Sequence, residues 1–283
     1  MTLPANILYP VDFSDRSHAV WPAVAGMARQ LGAAVTLLHA FDTRALDLAA
    51  LSSDLATIRA RVCEKLDQFP TPELEAGQVS REIAEGPAAA CIVERAGMMN
   101  APLIMMPTRG HTRFRQLLLG SVTSAVLHDA VCPVWTEAHT EYRSISNGVY
   151  GPIVCAIDMG PHSAGVLQFA AGFSKKLGAL LRAVHSVPRI DPRFPSGTAD
   201  RAHAFLVAQA REDFPAICRN AGTDVALEIV DETGLVDGIL CAVARHHADL
   251  LIIGRGVIQG PLGRLRTNAH DLIRRSPCPV LSI

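Results

Sequence analysis

The chain has 283 residues, 49% hydrophobic and 19% charged, enough apolar material for two ordinary cores of about 140 residues each and too much for a disordered polymer. A formal charge of −1 excludes the basic excess by which nucleic-acid binders hold phosphate, and no segment supplies about 18 uninterrupted apolar residues for a membrane span. Seven cysteines, at 63, 91, 132, 155, 218, 241 and 278, form no C-x-x-C pair and leave one unmatched; together with an N-terminus lacking a basic stretch and an apolar run, they point to reduced thiols in a cytoplasmic protein.

In chain order, residues 6–11 read as a buried strand, with Ser14 and Asp15 as helix-start residues. Positions 16–31 carry apolar residues at helical spacing and stop at Gly32. A strand over 35–41 follows, then a helix over 54–69 and an alternating strand over 78–84. The helix over 87–98 has proline in its first turn, where the missing N–H does no harm. A buried strand over 103–106 leads into a loop with glycine and arginine, a helix over 121–128 and a strand over 133–136. The order then repeats: strand 153–157, helix 162–177, strand 180–186, helix 199–220, strand 225–230, helix 235–247, strand 250–253, a loop, helix 267–275 and strand 279–283.

The repetition is literal. Asp12 and Asp158, His39 and His185, and Cys132-Pro133-Val134 and Cys278-Pro279-Val280 all stand 146 positions apart. So long a period means duplicated domains rather than a solenoid. The expected domains are 1–137 and 152–283, joined by a polar linker over 138–151 that contains Asn147-Gly148. Continuously apolar strands alternating with helices predict an α/β fold: two tandem doubly wound, Rossmann-like domains with parallel sheets covered on both faces.

Ligands of such sheets sit beyond the carboxyl ends of the strands, near the point where strand order reverses. That marks the loop after strand one (Asp12, Asp158), the end of strand two (Ala40, Ser186) and the loop after strand four. In the first copy this last loop runs from Met106-Pro107-Thr108-Arg109-Gly110 to Gly120-Ser121-Val122-Thr123. It matches neither a Walker loop nor G-x-G-x-x-G. It still has phosphate-binding chemistry: Gly120-Ser121 opens a helix whose free N–H groups and dipole favour an anion. Gly110 permits close backbone approach, Ser121 and Thr123 add hydroxyls, and Arg109, Arg113 and Arg115 add charge.

The Pro10-Val11-Asp12-x-Ser14 start, the Gly110-(nine residues)-Gly120-Ser121 spacing and the closing Cys-Pro-Val resemble the universal stress protein family over nearly the whole chain. Nucleotide-binding members of that family carry G-x-x-G-(nine residues)-G-[S/T] after strand four. The resemblance implies that Asp12 and the backbone around Val11 hold the adenosine part of ATP, with or without Mg, and that Ala40 lies against the adenine. It also implies that Gly110, Gly120, Ser121 and Val122, flanked by Met106, Pro107, Arg109 and Thr123, line the phosphates. Pro107 stands where the motif's first glycine is expected, and it lacks an N–H. The second copy departs further, with Gly254-Arg255-Gly256 and then Arg266-Thr267 in place of Gly-Ser, and is expected to hold no conventional nucleotide.

Plainer roles stand beside these. Asp12 and Asp158 suit helix capping, and His39 and His185 suit hydrogen-bonded strand ends. Arg245-His246-His247 suits a helix C-terminus, and the cysteines suit core positions. No nucleophile, base and acid constellation is visible. The expectation is therefore a cytoplasmic, stress-related regulatory protein binding ATP in its first domain, at most a slow ATPase. Its domains would pair internally, as the family's do, with a homodimer and a protein partner as further associations and neither nucleic acid nor membrane. The alternatives are an interaction scaffold with vestigial sites and a slow Mg-dependent ATPase.

Overall fold

The structure, a computed structural model, describes residues 3–42, 55–100, 102–108, 119–137, 150–187, 198–232, 234–255 and 267–283. Two compact units divide the chain, Pro4–Gly148 and a second containing Val149–Ile283. The linker expected over 138–151 lies, up to residue 149, outside the described residues.

The first unit runs β1 (Asn6–Pro10), α1 (Asp15–Leu31), β2 (Ala34–Phe41), α2 (Leu55–Asp67), β3 (Val79–Glu85), α3 (Ala88–Met98), β4 (Pro102–Pro107), α4 (Ser121–Asp129) and β5 (Val134–Glu137). Its strands lie in the order β3-β2-β1-β4-β5, each described pair parallel. The chain first builds outward from β1 to β3 and then restarts on the other side of β1 with β4. The switch point therefore falls between β1 and β4.

The second unit repeats this as β6 (Ile153–Ala156), α5 (Ser163–Leu177), β7 (Leu181–Ser186), α6 (Thr198–Ala221), β8 (Leu227–Val230), α7 (Leu235–Arg245), β9 (Leu250–Ile253), α8 (Thr267–Arg275) and β10 (Val280–Ser282). Its sheet order is β10-β9-β6-β7-β8, again parallel, with the switch between β6 and β9. The doubly wound α/β fold expected from the alternation is the fold observed.

Local chemistry explains the elements. In α1, Ser14 caps the N-terminus by accepting the Ser17 N–H, and Gly32 ends the helix in left-handed backbone at φ 67°, a conformation glycine adopts without strain. Val20, Val24, Met27 and Leu31 recur at three- and four-residue spacing and are buried on the sheet side. Tyr9, Trp21 and Phe69 pack ring against ring, centroids 6.0–6.4 Å apart, and the Trp21 indole N–H donates to Glu73 at 2.8 Å. No helix among the described residues is long and apolar enough to cross a membrane.

Three details differ from the sequence expectation. The helix over 235–247 stops at Arg245, because His246 and Arg245 turn to Glu228 of β8 and His247 takes φ 48°. The strand over 225–230 begins only at Leu227. The 146-residue period does not hold throughout. Ile7 pairs with Leu103, whereas its counterpart Ile153 pairs with Leu250, so β9 matches β4 at an offset of 147. One residue is thus gained before β9 and lost again in the loop after it, and Gly254 rather than Ile253 is the counterpart of Pro107.

Candidate functional site

The carboxyl ends of β1, β2 and β4 are neighbours on one edge of the first sheet, which brings the loops carrying Val11-Asp12, Ala40 and Met106-Pro107 together at the switch point. Asp12 follows β1. Its Oδ1 accepts the Ser14 N–H at 3.0 Å, the Ser14 hydroxyl at 2.6 Å and the Ser17 hydroxyl. Ser17 is 1% exposed, so the donor of that last bond is buried while Asp12 itself is half-buried. In the second unit Asp158 is tied to the Gly160 N–H at 2.9 Å and the Ser163 hydroxyl at 3.0 Å. Ser17 and Ser163 escaped the sequence reading; the repeated Asp-x-x-x-x-Ser spacing was the available signal.

The residue after each aspartate is left-handed although neither is glycine: Phe13 at φ 60° and Met159 at φ 58°. Such backbone costs on the order of 1 kcal/mol or more and persists only where its surroundings impose it. Val11 is buried, donates its N–H to Leu38 at 2.8 Å and receives the His39 Nδ1–H on its carbonyl at 2.7 Å. His185 binds Ile157 in the same way at 2.9 Å. The duplicated histidines thus clamp the first two strand ends, which fixes their tautomer. Burial lowers the His39 pKa below its ordinary value, favouring the neutral ring. Ala40 is half-buried opposite Ala84.

Beyond β4 the structure uses part of the expected phosphate chemistry for itself. The Gly120 N–H donates to the Thr108 carbonyl at 2.8 Å, and the Thr123 hydroxyl, expected to be a ligand donor, is buried and donates to the Pro107 carbonyl at 3.1 Å. These two bonds seat α4 on the end of β4. Gly120 itself has φ −63°, extended backbone open to any residue, and supplies no side-chain cap. Ser121 and Val122 are exposed, and among the described residues the N–H groups of Ser121, Val122 and Thr123 meet no acceptor. Nearby the Thr108 side chain is 2% exposed with its hydroxyl unpaired among those residues. Met106 and Pro107 are buried at the strand end; Arg109 and Gly110 lie outside the described residues, as do Arg113, Arg115, Gly256 and Arg266.

The switch point is more open in the first unit than in the second. Pairing of β1 with β4 stops at Leu8 and Ile104, whereas β6 pairs with β9 through Ala156 and Ile253, two steps further. The reason is Pro10. Leu103 and Met105 turn towards β1, while the Ile104 N–H faces β5, and the next donor from β1 would be the N–H of residue 10. Proline has none, and Pro107 cannot donate in return. Ala156 stands where Pro10 does and has its N–H. In the second unit Gly254 is constrained by packing: a Cβ there would lie 3.0 Å from the Val166 side chain of α5.

Glu137, the last residue of β5, also escaped the sequence reading. It is 8% exposed, its carbonyl accepts the Thr108 N–H at 2.9 Å, and burial pushes its carboxyl up to about 7. No group of three His, Cys, Asp or Glu able to hold a metal ion occurs among the described residues.

The family model described as the universal stress protein family matches residues 5–136 and again 150–283. A universal stress protein of Methanocaldococcus jannaschii is 33% identical over 136 residues, 46% of this chain and 79% of that protein. Among solved structures, a universal stress protein from Archaeoglobus fulgidus superposes with a TM-score of 0.70 at 22% identity, covering 99% of this chain and 98% of that one. A functionally unknown protein from Pseudomonas aeruginosa does so at 0.66 and 18% identity, covering 99% and 92%.

Proposed function

Because the chain belongs to the universal stress protein family as a tandem of two copies, we propose that its first half binds an adenine nucleotide, ATP with or without Mg²⁺, and that the protein acts as a stress-related regulatory binder. The observation that carries this reading is the start of α4. Three adjacent N–H groups without an acceptor among the described residues, at the positive end of a helix and beside the buried, unpaired Thr108 hydroxyl, suit the oxygens of a phosphate chain. Asp12, the Val11 backbone and Ala40, on the neighbouring strand ends, would take the nucleoside end. Arg109 and Gly110 would complete the phosphate loop.

Binding is favoured over turnover. The Asp12 Oδ1 is committed to three donors within its own turn, which suits a fixed wall of the pocket better than a base that moves protons. Pro107 removes one backbone donor, and the Gly120 N–H is spent on Thr108, so the site relies on the α4 N–H groups and the loop arginines. The second unit, with Arg266-Thr267 where Gly120-Ser121 stands, would serve as support.

Thermal unfolding of nucleotide-free protein tests the reading. At about a hundred times Kd, ATP should stabilise the first unit by about 2.7 kcal/mol. No shift at millimolar ATP would leave the interaction-scaffold reading in its place.

A further inference from the structure

The turns after β1 and β6 are near copies in three respects: the aspartate tied to a following serine, the left-handed residue next to it, and the histidine on the carbonyl before it. They differ in the chemistry of the left-handed residue. Phe13 lays its ring on the His39 imidazole, centroids 4.5 Å apart and planes inclined by 27°, where the second unit has the thioether chain of Met159. The backbone conformation belongs to the fold, since both copies keep it; the ring belongs to the first unit alone.

The ring's position follows from its partner. His39 precedes Ala40 in β2, and its Nδ1 holds the Val11 carbonyl, one residue before Asp12. Phe13 is thus next in sequence to Asp12 and packs on the side chain that holds the Val11 carbonyl, two of the positions that would take the nucleoside. Phe13 is only half-buried, which leaves part of it open to a ligand. Planar rings gain from offset stacking on other planar rings, and nucleic bases do so whatever their hydrogen-bonding edge. A methionine cannot supply this flat face.

We infer that Phe13 is the base-stacking residue of the first unit: its ring, steadied by His39, packs on the planar base of the nucleotide. The inference rests on the nucleotide site proposed above. It means that the first unit distinguishes a nucleoside triphosphate from a bare phosphate chain, and that the second unit lacks this means of discrimination.

Phe13→Met copies the second unit, where Met159 at φ 58° already accepts this backbone, so the variant should fold. Phe13→Trp keeps a ring and adds a fluorophore. Wild type and both variants are titrated with ATP and with inorganic tripolyphosphate. Phe13→Met should bind ATP about tenfold more weakly and tripolyphosphate as wild type does. Phe13→Trp should keep its ATP affinity, and its emission should change with ATP but not with tripolyphosphate. If wild type binds ATP and Phe13→Met binds it equally well, the role of the ring is wrong and the site stands. Equal weakening towards both ligands would show that Phe13 merely shapes the turn, contradicting the inference. If wild type binds no ATP, the site falls and the inference with it.

Discussion

Replacing Pro10 with alanine should close the open end of the β1–β4 ladder. The substitution supplies the N–H that Ala156 has in the second unit and aims it at the Met105 carbonyl, which no strand donor reaches among the described residues. Met105 is fully buried, so the new bond forms away from water. A backbone hydrogen bond contributes about 0.5–1.5 kcal/mol net, while losing proline's stiffening of the unfolded chain costs about 0.4–1 kcal/mol. The two nearly cancel, and the melting temperature should move by only a few degrees. The informative assay is amide hydrogen exchange. The residue-10 amide of the variant should exchange as slowly as that of Ala156, its natural counterpart. Exchange as fast as an exposed loop amide would refute the reasoning, because the crevice would then be held open by something other than the missing donor.

Removing the buried hydroxyl in Ser17→Ala should destabilise the first unit by about 1.5–3 kcal/mol, read from urea unfolding, because a hydrogen bond to the Asp12 carboxylate is lost. Ser163→Ala should cost less, since Asp158 is exposed and water can replace the bond; equal losses would contradict this account of burial. Glu137 should make stability fall with rising pH. Its folded pKa of about 7 stands above the ordinary 4.5, so its contribution is complete below about 4.5 and disappears as pH rises through 7. Glu137→Gln should flatten that slope between pH 4.5 and 7, and an unchanged slope would assign it to another group.

Much of the fold was legible because each signal was local. Ser14 and Gly32 bracket α1 through their own side-chain and backbone chemistry, and the duplicated apolar runs announced two parallel sheets. The one-residue shift of β9 was not legible, since it is an insertion compensated by a deletion and both flanking landmarks keep the 146-residue spacing; only the strand register exposes it. In the candidate site, Asp12 and Ala40 could be placed from topology. What Thr123 and Gly120 do could not, because the hydrogen bonds that seat α4 on β4 compete for the same donors a phosphate would use. Pro10 read as part of a family-like start, yet its effect depends on which side of β1 its missing donor would face. Phe13 carried no sequence signal, since left-handed backbone at a bulky residue shows only in the fold.

The site proposed for ATP is the start of α4 in the first unit. Calorimetric titration of wild type beside Gly120→Arg, which copies Arg266, tests it most directly. Gly120 has extended backbone at φ −63°, so arginine fits the chain there while its side chain would fill the phosphate position. Wild type should bind about one ATP per chain and the variant none. Undiminished ATP binding by Gly120→Arg would place the nucleotide elsewhere and contradict the proposal.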